Sequence, residues 1–390
     1  MTGFDSFDSA RRVDWDRRGF LQLMGVGATV TLTGGLLSAC GGDDDSEAGS
    51  GKSSMTWLSP TPGPDFIEIP AYIALEMGYY KAENLDVTTE YPGSSSRAAQ
   101  LLSAGRADLA LPEPSFVLSA ADSGSDVRSV WVLGNGSFFG MAVPEGSPIK
   151  EWSADTVRGT RIGISEFAGG EIPLLRGALA LIGVKESEVE LVVVGDGGAE
   201  AADAIESGDV DIYSTGDVGF AMLDAAGVDL VRITPDIVAG FPRLTAMVQG
   251  EYLESNREDV LGWCRAWNKG IVFMNANPTA AAVIAKKHAP EAMGETPVED
   301  VQQAFVEALL LRGLAPYFDS KSDVFHKIGM QNVEGWHDYM NYLIKAGADS
   351  DEGVRLERPV DLNKVVTNEL VDEANDFDYA SIEKDAASYK

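Results

Sequence analysis

Acidic residues stand at three points where a short apolar run gives way to small residues. Glu113 lies between two prolines, Glu171 follows two glycines, and Asp217 follows Thr215-Gly216. Carboxylates in such places could bind an amine-bearing solute. A carboxylate in the first turn of a helix is also favourable without any ligand, so a structural role is the better interpretation for Glu171 and an alternative for Asp217. For Glu113, ligand contact and solvent exposure both remain open.

A different chemistry is possible at Gly93-Ser94-Ser95-Ser96, which precedes a helical run. The free backbone N–H groups of a helix N-terminus can hold an anion. The same residues could equally form an ordinary helix cap. Arg97 is the only base in these loops, so the inventory favours an amine-bearing heteroaromatic over a sulfonate or nitrate, with one or two phenylalanines stacking on its ring.

Signs of catalysis are weak throughout the sequence. The three histidines, His288, His326 and His337, lack a metal-ligand spacing, and no Gly-x-Ser-x-Gly elbow occurs. Cys264 lies in an apolar helical stretch and is interpreted as a small core residue. We therefore expect no catalytic residue, no metal and no cofactor.

The N-terminus has the pattern of an export signal. Arg17-Arg18 followed by Gly19-Phe20 resembles the twin-arginine signal, and a mildly apolar stretch then leads to Leu37-Ser38-Ala39-Cys40, which resembles a lipobox. The glycines and threonines of that stretch disfavour the alternative of a membrane-spanning anchor. Residues 1–40 are thus predicted to direct export by the twin-arginine route. Lipidation of Cys40 would then hold the protein on the outer face of the cytoplasmic membrane.

Composition limits the partners of the chain after Cys40. Residues 41–54 are polar, acidic and rich in Gly and Ser, which predicts a flexible tether before a body that starts at Met55. The four acids and four arginines up to Cys40 cancel, so the rest carries the whole net charge of −31. So acidic a surface repels nucleic acid and anionic lipid.

An internal repeat predicts the fold class. The Gly-Ser loop, a helical run and Gly105-x-x-Asp108 match the order of residues 196–207 followed by Gly208-x-x-Asp211, at an offset of 103 residues. Each unit reads as strand, loop, helix, glycine cap and strand, which predicts parallel strands joined by helices. We therefore expect an α/β fold with two doubly wound, Rossmann-like lobes joined by a hinge.

The predicted domains follow from this pattern. Residues 55–140 should form the first part of lobe I and residues 141–243 lobe II. Residues 244–390 should return to lobe I and cover it with helices, among them Val298–Leu311 and Phe325–Lys345. Gly140–Pro144 and Leu244–Gln249 are the hinge candidates.

Further motifs carry a family resemblance. They are Ile69-Pro70-Ala71-Tyr72-Ile73-Ala74, the segment from Gly78 to Val87, the Gly-Ser loop, Ser103–Asp108 and Arg161–Ser165. Together they resemble the ABC-importer substrate-binding lipoproteins that capture nitrate, sulfonates, taurine or pyrimidine precursors of thiamine. Asn84 stands where that family usually has glycine, a position that suits a left-handed cap.

The resemblance implies a type II periplasmic-binding-protein fold with extra C-terminal helices on the first lobe. Its ligand should lie between the lobes, in the crevice beyond the carboxyl ends of the strands. The candidate ligand-binding residues in those loops are Thr61, Phe66, Gly93, Ser94, Ser95, Ser96, Glu113, Ser137, Phe138, Ser165, Phe167, Gly169, Glu171, Thr215 and Asp217.

The resulting hypothesis is a monomeric solute-binding lipoprotein that delivers a small organic molecule to an ABC permease and its ATPase. One alternative is a sensor or scaffold lipoprotein that presents its ligand to a receptor. A less favoured alternative is an enzyme like the related pyrimidine synthase, whose cysteine-rich iron-binding stretch is not found in this sequence.

Overall fold

The computed structural model describes residues 52–167, 169–290, 298, 327–347, 356 and 358–389. Strands within these ranges form two five-stranded sheets, ordered β2-β1-β3-β10-β4 and β7-β6-β8-β5-β9. The strands are β1 (Ser53–Leu58), β2 (Leu85–Glu90), β3 (Leu109–Ala110), β4 (Val127–Val132), β5 (Phe139–Pro144), β6 (Arg161–Ile164), β7 (Glu190–Val193), β8 (Ile212–Gly216), β9 (Leu230–Arg232) and β10 (Thr245–Gln249). We call the two sheets with their helices the first and the second lobe.

Helices connect and cover these strands. They are α1 (Ile69–Glu76), α2 (Tyr79–Ala82), α3 (Ser95–Ser103), α4 (Pro114–Asp122), α5 (Ala154–Val157), α6 (Glu171–Leu181), α7 (Ala199–Glu206), α8 (Asp217–Ala225), α9 (Gly250–Ser255), α10 (Arg257–Ala276), α11 (Pro278–His288), α12 (Val333–Gly347), α13 (Leu362–Val365), α14 (Val371–Ala374) and α15 (Tyr379–Ser388). Short 3₁₀ turns lie at Phe66–Glu68, Glu186–Glu188 and Asp236–Gly240. None of the described helices combines the length and hydrophobicity that crossing a bilayer requires.

The strand pairing confirms the predicted doubly wound α/β fold. In the first lobe β1 pairs in parallel with β2 and β3, and in the second β6 pairs in parallel with β7 and β8. Each sheet also contains an antiparallel strand that arrives from the other lobe: β10 in the first and β5 in the second. Along the described strands, the chain therefore passes to the second lobe after β4 and returns before β10.

The aspartates of the internal repeat make the same contact in both lobes. The backbone N–H of Thr56 donates to Asp108 Oδ2 over 2.7 Å, and that of Arg161 donates to Asp211 Oδ2 over 2.8 Å. The carboxylates thus extend the hydrogen bonding between β1 and β3 in the first lobe and between β6 and β8 in the second. The repeat in the sequence is a repeat of structure.

Left-handed backbone also occurs where the sequence predicts it. Gly105 and Gly208 have φ of 68° and 74°, and Asn84 is the one described non-glycine residue with positive φ, at 61°. Asparagine tolerates this region better than other residues with a side chain, so it can replace the glycine usual at this helix end.

The crossings between the lobes lie next to the predicted hinges rather than at them. Gly140–Pro144 belongs to β5 and residues 245–249 form β10, so both candidates are held in sheets. Residues 133–136 and 241–244 pair antiparallel instead: Leu133 N–H donates to Leu244 O over 2.7 Å and Gly136 N–H to Phe241 O over 2.6 Å. Apart from Leu244, the candidate segments are thus strands of the sheets, which satisfy their hydrogen bonds, and the crossings lie just beside them. Which residues bend when the lobes move stays a prediction.

The start of the body also differs from the prediction. β1 begins at Ser53, within the predicted tether, because Ser53 N–H donates to Asn84 O over 3.1 Å and joins the strand to β2. Residues 1–40, with Cys40, most of the tether and the predicted helix Val298–Leu311 except Val298 lie outside the described residues, as does the start of Phe325–Lys345.

Four tryptophans form the centre of the first-lobe core. Trp57 and Trp131 from the sheet face Trp263 and Trp267 from α10, with ring centroids 4.7–6.2 Å apart. All four are at most 1% exposed. Cys264 is fully buried beside them, which confirms its interpretation as a core residue.

One C-terminal helix has a contact that the sequence did not predict. α12 packs along α6 of the second lobe, where the Tyr342 hydroxyl donates to Leu174 O. Gly177 allows this approach, because a Cβ there would overlap the ring of Tyr342. One turn earlier, Tyr339 of α12 reaches the first lobe, so this helix joins both lobes.

Candidate functional site

The loop after β1 is organised by a buried carboxylate that sequence reasoning missed. Glu68 accepts hydrogen bonds from the hydroxyls of Ser59, Thr61 (3.1 Å) and Tyr72 (3.0 Å), and from the backbone N–H of Asp65 (2.6 Å). Burial raises the pKa of Glu68 to about 7, against the effect of these donors. The predicted site residue Thr61 is therefore part of a polar network within its own loop.

The Gly-Ser loop lies directly beside this network. Gly93 N–H donates to Thr61 O over 3.2 Å. The Ser94 hydroxyl caps α3 by accepting from Arg97 N–H at 3.3 Å, while Ser95 Oγ accepts from Glu113 N–H at 3.2 Å. Ser94 thus has the capping role that the sequence left open, and Ser95 links this loop to the next one.

Glu113 is buried, which excludes the solvent-exposed alternative. One oxygen accepts from the backbone N–H of Ser115 at 2.9 Å and from its hydroxyl, and the other accepts from the Tyr339 hydroxyl. Burial raises the pKa of Glu113 in spite of these bonds. The side chain caps α4 and joins it to α12.

The second lobe has a comparable arrangement after β6. Glu171, at the start of α6, accepts from the Ser165 backbone N–H at 2.8 Å and from its hydroxyl. Burial raises the pKa of Glu171 as well. Near the end of β8, the Thr215 hydroxyl donates to Asp196, a residue of the loop before α7.

A buried ion pair lies where the chain crosses between the lobes. Arg243 Nη2 is 3.2 Å from Asp217 Oδ2, and Arg243 Nε donates to Gly136 O over 2.8 Å. Both side chains are almost fully buried. Arg97, the only base that the sequence placed near the site, is exposed instead. No local pattern marks Arg243, since its role arises only when the two crossings pair.

Phenylalanines pack around the crossings. Phe138 meets Phe139 edge to face at 5.2 Å, and Ser137 Oγ accepts from Phe139 N–H at 3.1 Å. The space that these residues share with Glu113 and Phe241 is only about 10 Å³. Ser137 and Phe138 are partly buried, beside a space that is too small for an organic ligand.

A much larger groove lies elsewhere between the lobes. It has a volume of about 720 Å³ and lies between α3 and α4 of the first lobe and residues 167 and 169–176 of the second. We call it the interlobe groove. It brings together three predicted site residues, Ser96, Phe167 and Gly169, and adds Phe116. Phe167 is 62% exposed, so its ring is accessible.

The predicted site residues therefore separate into three groups. Ser96, Phe167 and Gly169 line the interlobe groove. Phe66 is the first residue of a 3₁₀ turn. The remaining residues make hydrogen bonds or packing contacts with other residues of the protein and so hold the surrounding loops in place. Within the described ranges, no three His, Cys, Asp or Glu side chains converge as metal ligands would.

Comparison with solved structures defines the class of fold. The periplasmic aliphatic sulphonate binding protein SsuA from Escherichia coli superposes with a TM-score of 0.57 at 14% identity, over 80% of this chain and 91% of that one. The periplasmic nitrate-binding protein NrtA from Synechocystis PCC 6803 gives 0.54 at 13% identity, over 86% and 98%. The fold is that of the periplasmic binding proteins.

The family is established by sequence. Residues 66–281, more than half of the chain, match the family described as NMT1/THI5 like. The chain belongs to that family, which confirms the resemblance inferred from its motifs.

Sequence comparison finds relatives that are named as binding proteins and relatives that are named as enzymes. The riboflavin-binding protein RibY from Chloroflexus aurantiacus is 26% identical over 79% of this chain and 83% of its own. A formylaminopyrimidine-binding protein from Halalkalibacterium halodurans is 25% identical over 76% and 84%. A 4-amino-5-hydroxymethyl-2-methylpyrimidine phosphate synthase from Candida albicans is 35% identical, but over 25% of this chain and 29% of its own.

Proposed function

We propose that this protein captures a small, flat heteroaromatic solute in the interlobe groove and delivers it to an ABC-type importer. The observation that carries the proposal is the groove itself, because helices of both lobes line it and its volume of about 720 Å³ suits a small organic ligand. A ligand bridging both lobes would stabilise the closed arrangement, which the importer can recognise.

The lining favours a ring over an inorganic anion. Phe116 and Phe167 offer aromatic faces, and Ser96, Gln100 and Ser119 offer hydroxyl and amide groups for a few directed hydrogen bonds. The carboxylates first considered for an amine, Glu113, Glu171 and Asp217, are held by donors of the protein. Recognition would then depend on stacking and neutral hydrogen bonds.

The relatives support the same class of ligand. Those matching most of this chain are named for riboflavin and a formylaminopyrimidine, both nitrogen-containing aromatic rings. The sulphonate- and nitrate-binding structures, at 13–14% identity, support the fold alone. We therefore place flavins and aminopyrimidines ahead of sulfonates, taurine and nitrate.

Calorimetric titration of the purified protein tests the ligand class. We expect riboflavin or an aminopyrimidine to bind, and taurine, an alkanesulfonate and nitrate to give no heat of binding. Phe167→Ala should weaken binding at least tenfold without lowering the melting temperature, because this ring is exposed. Tyr379→Ala, another partly exposed aromatic, on α15, is the matched control and should leave affinity unchanged. Binding of sulfonate alone would refute the proposal.

Membrane attachment is a further part of the proposal. Export through the twin-arginine pathway and a diacylglycerol on Cys40 would place a monomer beside its permease and ATPase. The motifs at Arg17-Arg18 and Leu37–Cys40 support this placement. Replacing Cys40 with Ala should move the protein from the membrane fraction to the soluble fraction, whereas Cys264→Ala should not.

A pyrimidine synthase remains the alternative from another class, on the strength of the short match to the fungal enzymes. It predicts consumption of a bound precursor. Recovery of the solute unchanged after binding and release would exclude it, while conversion of the solute would overturn the transport proposal.

A further inference from the structure

The interlobe groove contains a single charged side chain among its described lining residues. Arg176 lies on α6, one turn beyond Ile172 and Pro173, and its side chain is 12% exposed. A guanidinium beside an apolar pocket would ordinarily attract phosphate, sulfonate or carboxylate groups, since its planar fork of donors fits them.

The carboxylate of Glu186 already binds the guanidinium of Arg176. Arg176 Nε lies 2.5 Å from Glu186 Oε2, and Nη2 donates to Oε1 over 3.3 Å. Both carboxylate oxygens are thus used in a two-point contact, which is the geometry that an anionic ligand would need to reproduce. The pair is electrically neutral as a unit, within a chain of net charge −31.

We infer that Glu186 is a specificity-determining residue: by holding Arg176 it makes the groove reject anionic solutes and admit uncharged heteroaromatics. An incoming anion would have to displace a carboxylate already attached to the protein, against the repulsion of the surrounding acidic surface. The inference rests on the proposed function, and it narrows the solute class to the uncharged form of the ring.

The same short segment supplies a matched control. Glu188 lies two residues further on in the 3₁₀ turn and pairs with Arg158 Nε at 2.8 Å. That pair is more exposed and is not part of the groove lining. Glu186→Gln and Glu188→Gln therefore remove the same charge from the same turn, but only the first one removes a carboxylate partner of the guanidinium in the groove.

The test measures affinity for two pairs of probes with calorimetry. Each pair shares a ring and differs by a phosphate: riboflavin with riboflavin 5′-phosphate, and 4-amino-5-hydroxymethyl-2-methylpyrimidine with its phosphate. The unmodified protein should bind the uncharged member at least a hundredfold more tightly. Glu186→Gln should tighten binding of the phosphate at least tenfold and change the uncharged probe less than twofold. This gain should shrink as salt is added.

Two further variants keep the result interpretable. The double variant Arg176→Gln/Glu186→Gln should lose the gain, and Glu188→Gln should not produce it. If Glu186→Gln does not fold, Glu186→Asp keeps the charge but shortens its reach, and should give a smaller gain. An unchanged phosphate affinity in a folded Glu186 variant overturns the inference while the proposed function stands. Failure of the unmodified protein to bind either uncharged ring overturns both.

Discussion

Each lobe places acidic side chains at three matched positions. One lies near the start of a long helix, α1 or α6, and accepts from a serine that follows β1 or β6. One accepts from β1 or β6 itself, and one lies at the start of the helix that follows β3 or β8. The matched residues are Glu68 and Glu171, Asp108 and Asp211, and Glu113 and Asp217.

The partners of these acids differ between the lobes. In the first, Glu68 and Glu113 are surrounded by serine, threonine and tyrosine hydroxyls, and burial raises the pKa of both. In the second, Asp211 and Asp217 each pair with an arginine. For Asp211, burial opposes ionisation, but hydrogen bonds from the side chain and backbone of Arg161 outweigh it and lower the pKa. Glu171, with its serine, follows the first pattern.

This comparison teaches that matched positions in a repeat need not share a charge state. Hydroxyl donors leave a buried carboxylate favouring its protonated form, while an arginine keeps it ionised. Glu68 of the first lobe and Asp211 of the second should therefore respond in opposite directions to acid. The following experiments can confirm or refute that difference.

The largest effect should come from breaking the buried ion pair of the second lobe. Arg243→Met leaves the Asp217 carboxylate buried without its arginine, which should lower the free energy of unfolding by about 3–5 kcal/mol. Urea denaturation measures this loss. The double variant Arg243→Met/Asp217→Asn removes both charges and should recover much of it. A loss below about 1 kcal/mol would mean that the pair is dispensable.

The next effect is a pH dependence that originates in the first lobe. Glu68 has a pKa of about 7 in the folded protein against 4.5 ordinarily. Between these values the folded state retains a proton that the unfolded state releases, so the contribution of Glu68 to stability is present at low pH and is lost as pH rises. The loss should amount to about 3 kcal/mol.

Glu68→Gln tests this assignment, because glutamine does not titrate in this range. Denaturation curves at several pH values should show that stability declines less from pH 4.5 to 7 in the variant than in the unmodified protein. An unchanged slope would show that Glu68 is ionised in the folded state.

A smaller effect is expected from Tyr339→Phe, which removes one hydroxyl donor from Glu113 while keeping the ring. The buried hydrogen bond should contribute about 1–1.5 kcal/mol to stability. Tyr379→Phe, whose hydroxyl donates to Asn375 at an exposed position, is the control and should change stability less. Equal effects of the two variants would show that the Tyr339–Glu113 hydrogen bond contributes no more to the free energy of unfolding than the exposed one.

The smallest effect should follow Arg161→Thr, which gives the second lobe the residue type of its first-lobe counterpart, Thr56. The Arg161–Asp211 contact is partly exposed, so its loss should barely move the denaturation midpoint. The carboxyl of Asp211 should, however, titrate at higher pH, which NMR can follow. No change in that titration would show that Arg161 does not set the charge state of Asp211.

The sequence predicted those parts of the fold that depend on neighbouring residues. Glycine caps at Gly105 and Gly208, the aspartates three residues later and the apolar runs beside them are local patterns, and they correctly indicated two βαβ lobes. The loops at the carboxyl ends of the strands followed from the same pattern.

The partners within the site could not be predicted in this way. Tyr339 is 226 residues from Glu113, and Arg243 meets Asp217 only because the two crossings pair. Contacts between distant segments produce no characteristic spacing in the sequence, so the residues around Glu113 could not indicate that Tyr339 would bind it. The crossings were misplaced by a few residues for a related reason, since an extended segment looks the same in sequence whether it crosses between lobes or pairs within a sheet.

The tryptophan cluster of the first lobe has an optical consequence. Four indoles held 4.7–6.2 Å apart at fixed angles couple their electronic transitions and should give the near-ultraviolet circular dichroism spectrum a strong band. Trp336 lies instead on α12, which touches both lobes. The dichroic band would therefore report the packing of one lobe, while the fluorescence of Trp336 would report movement between the two.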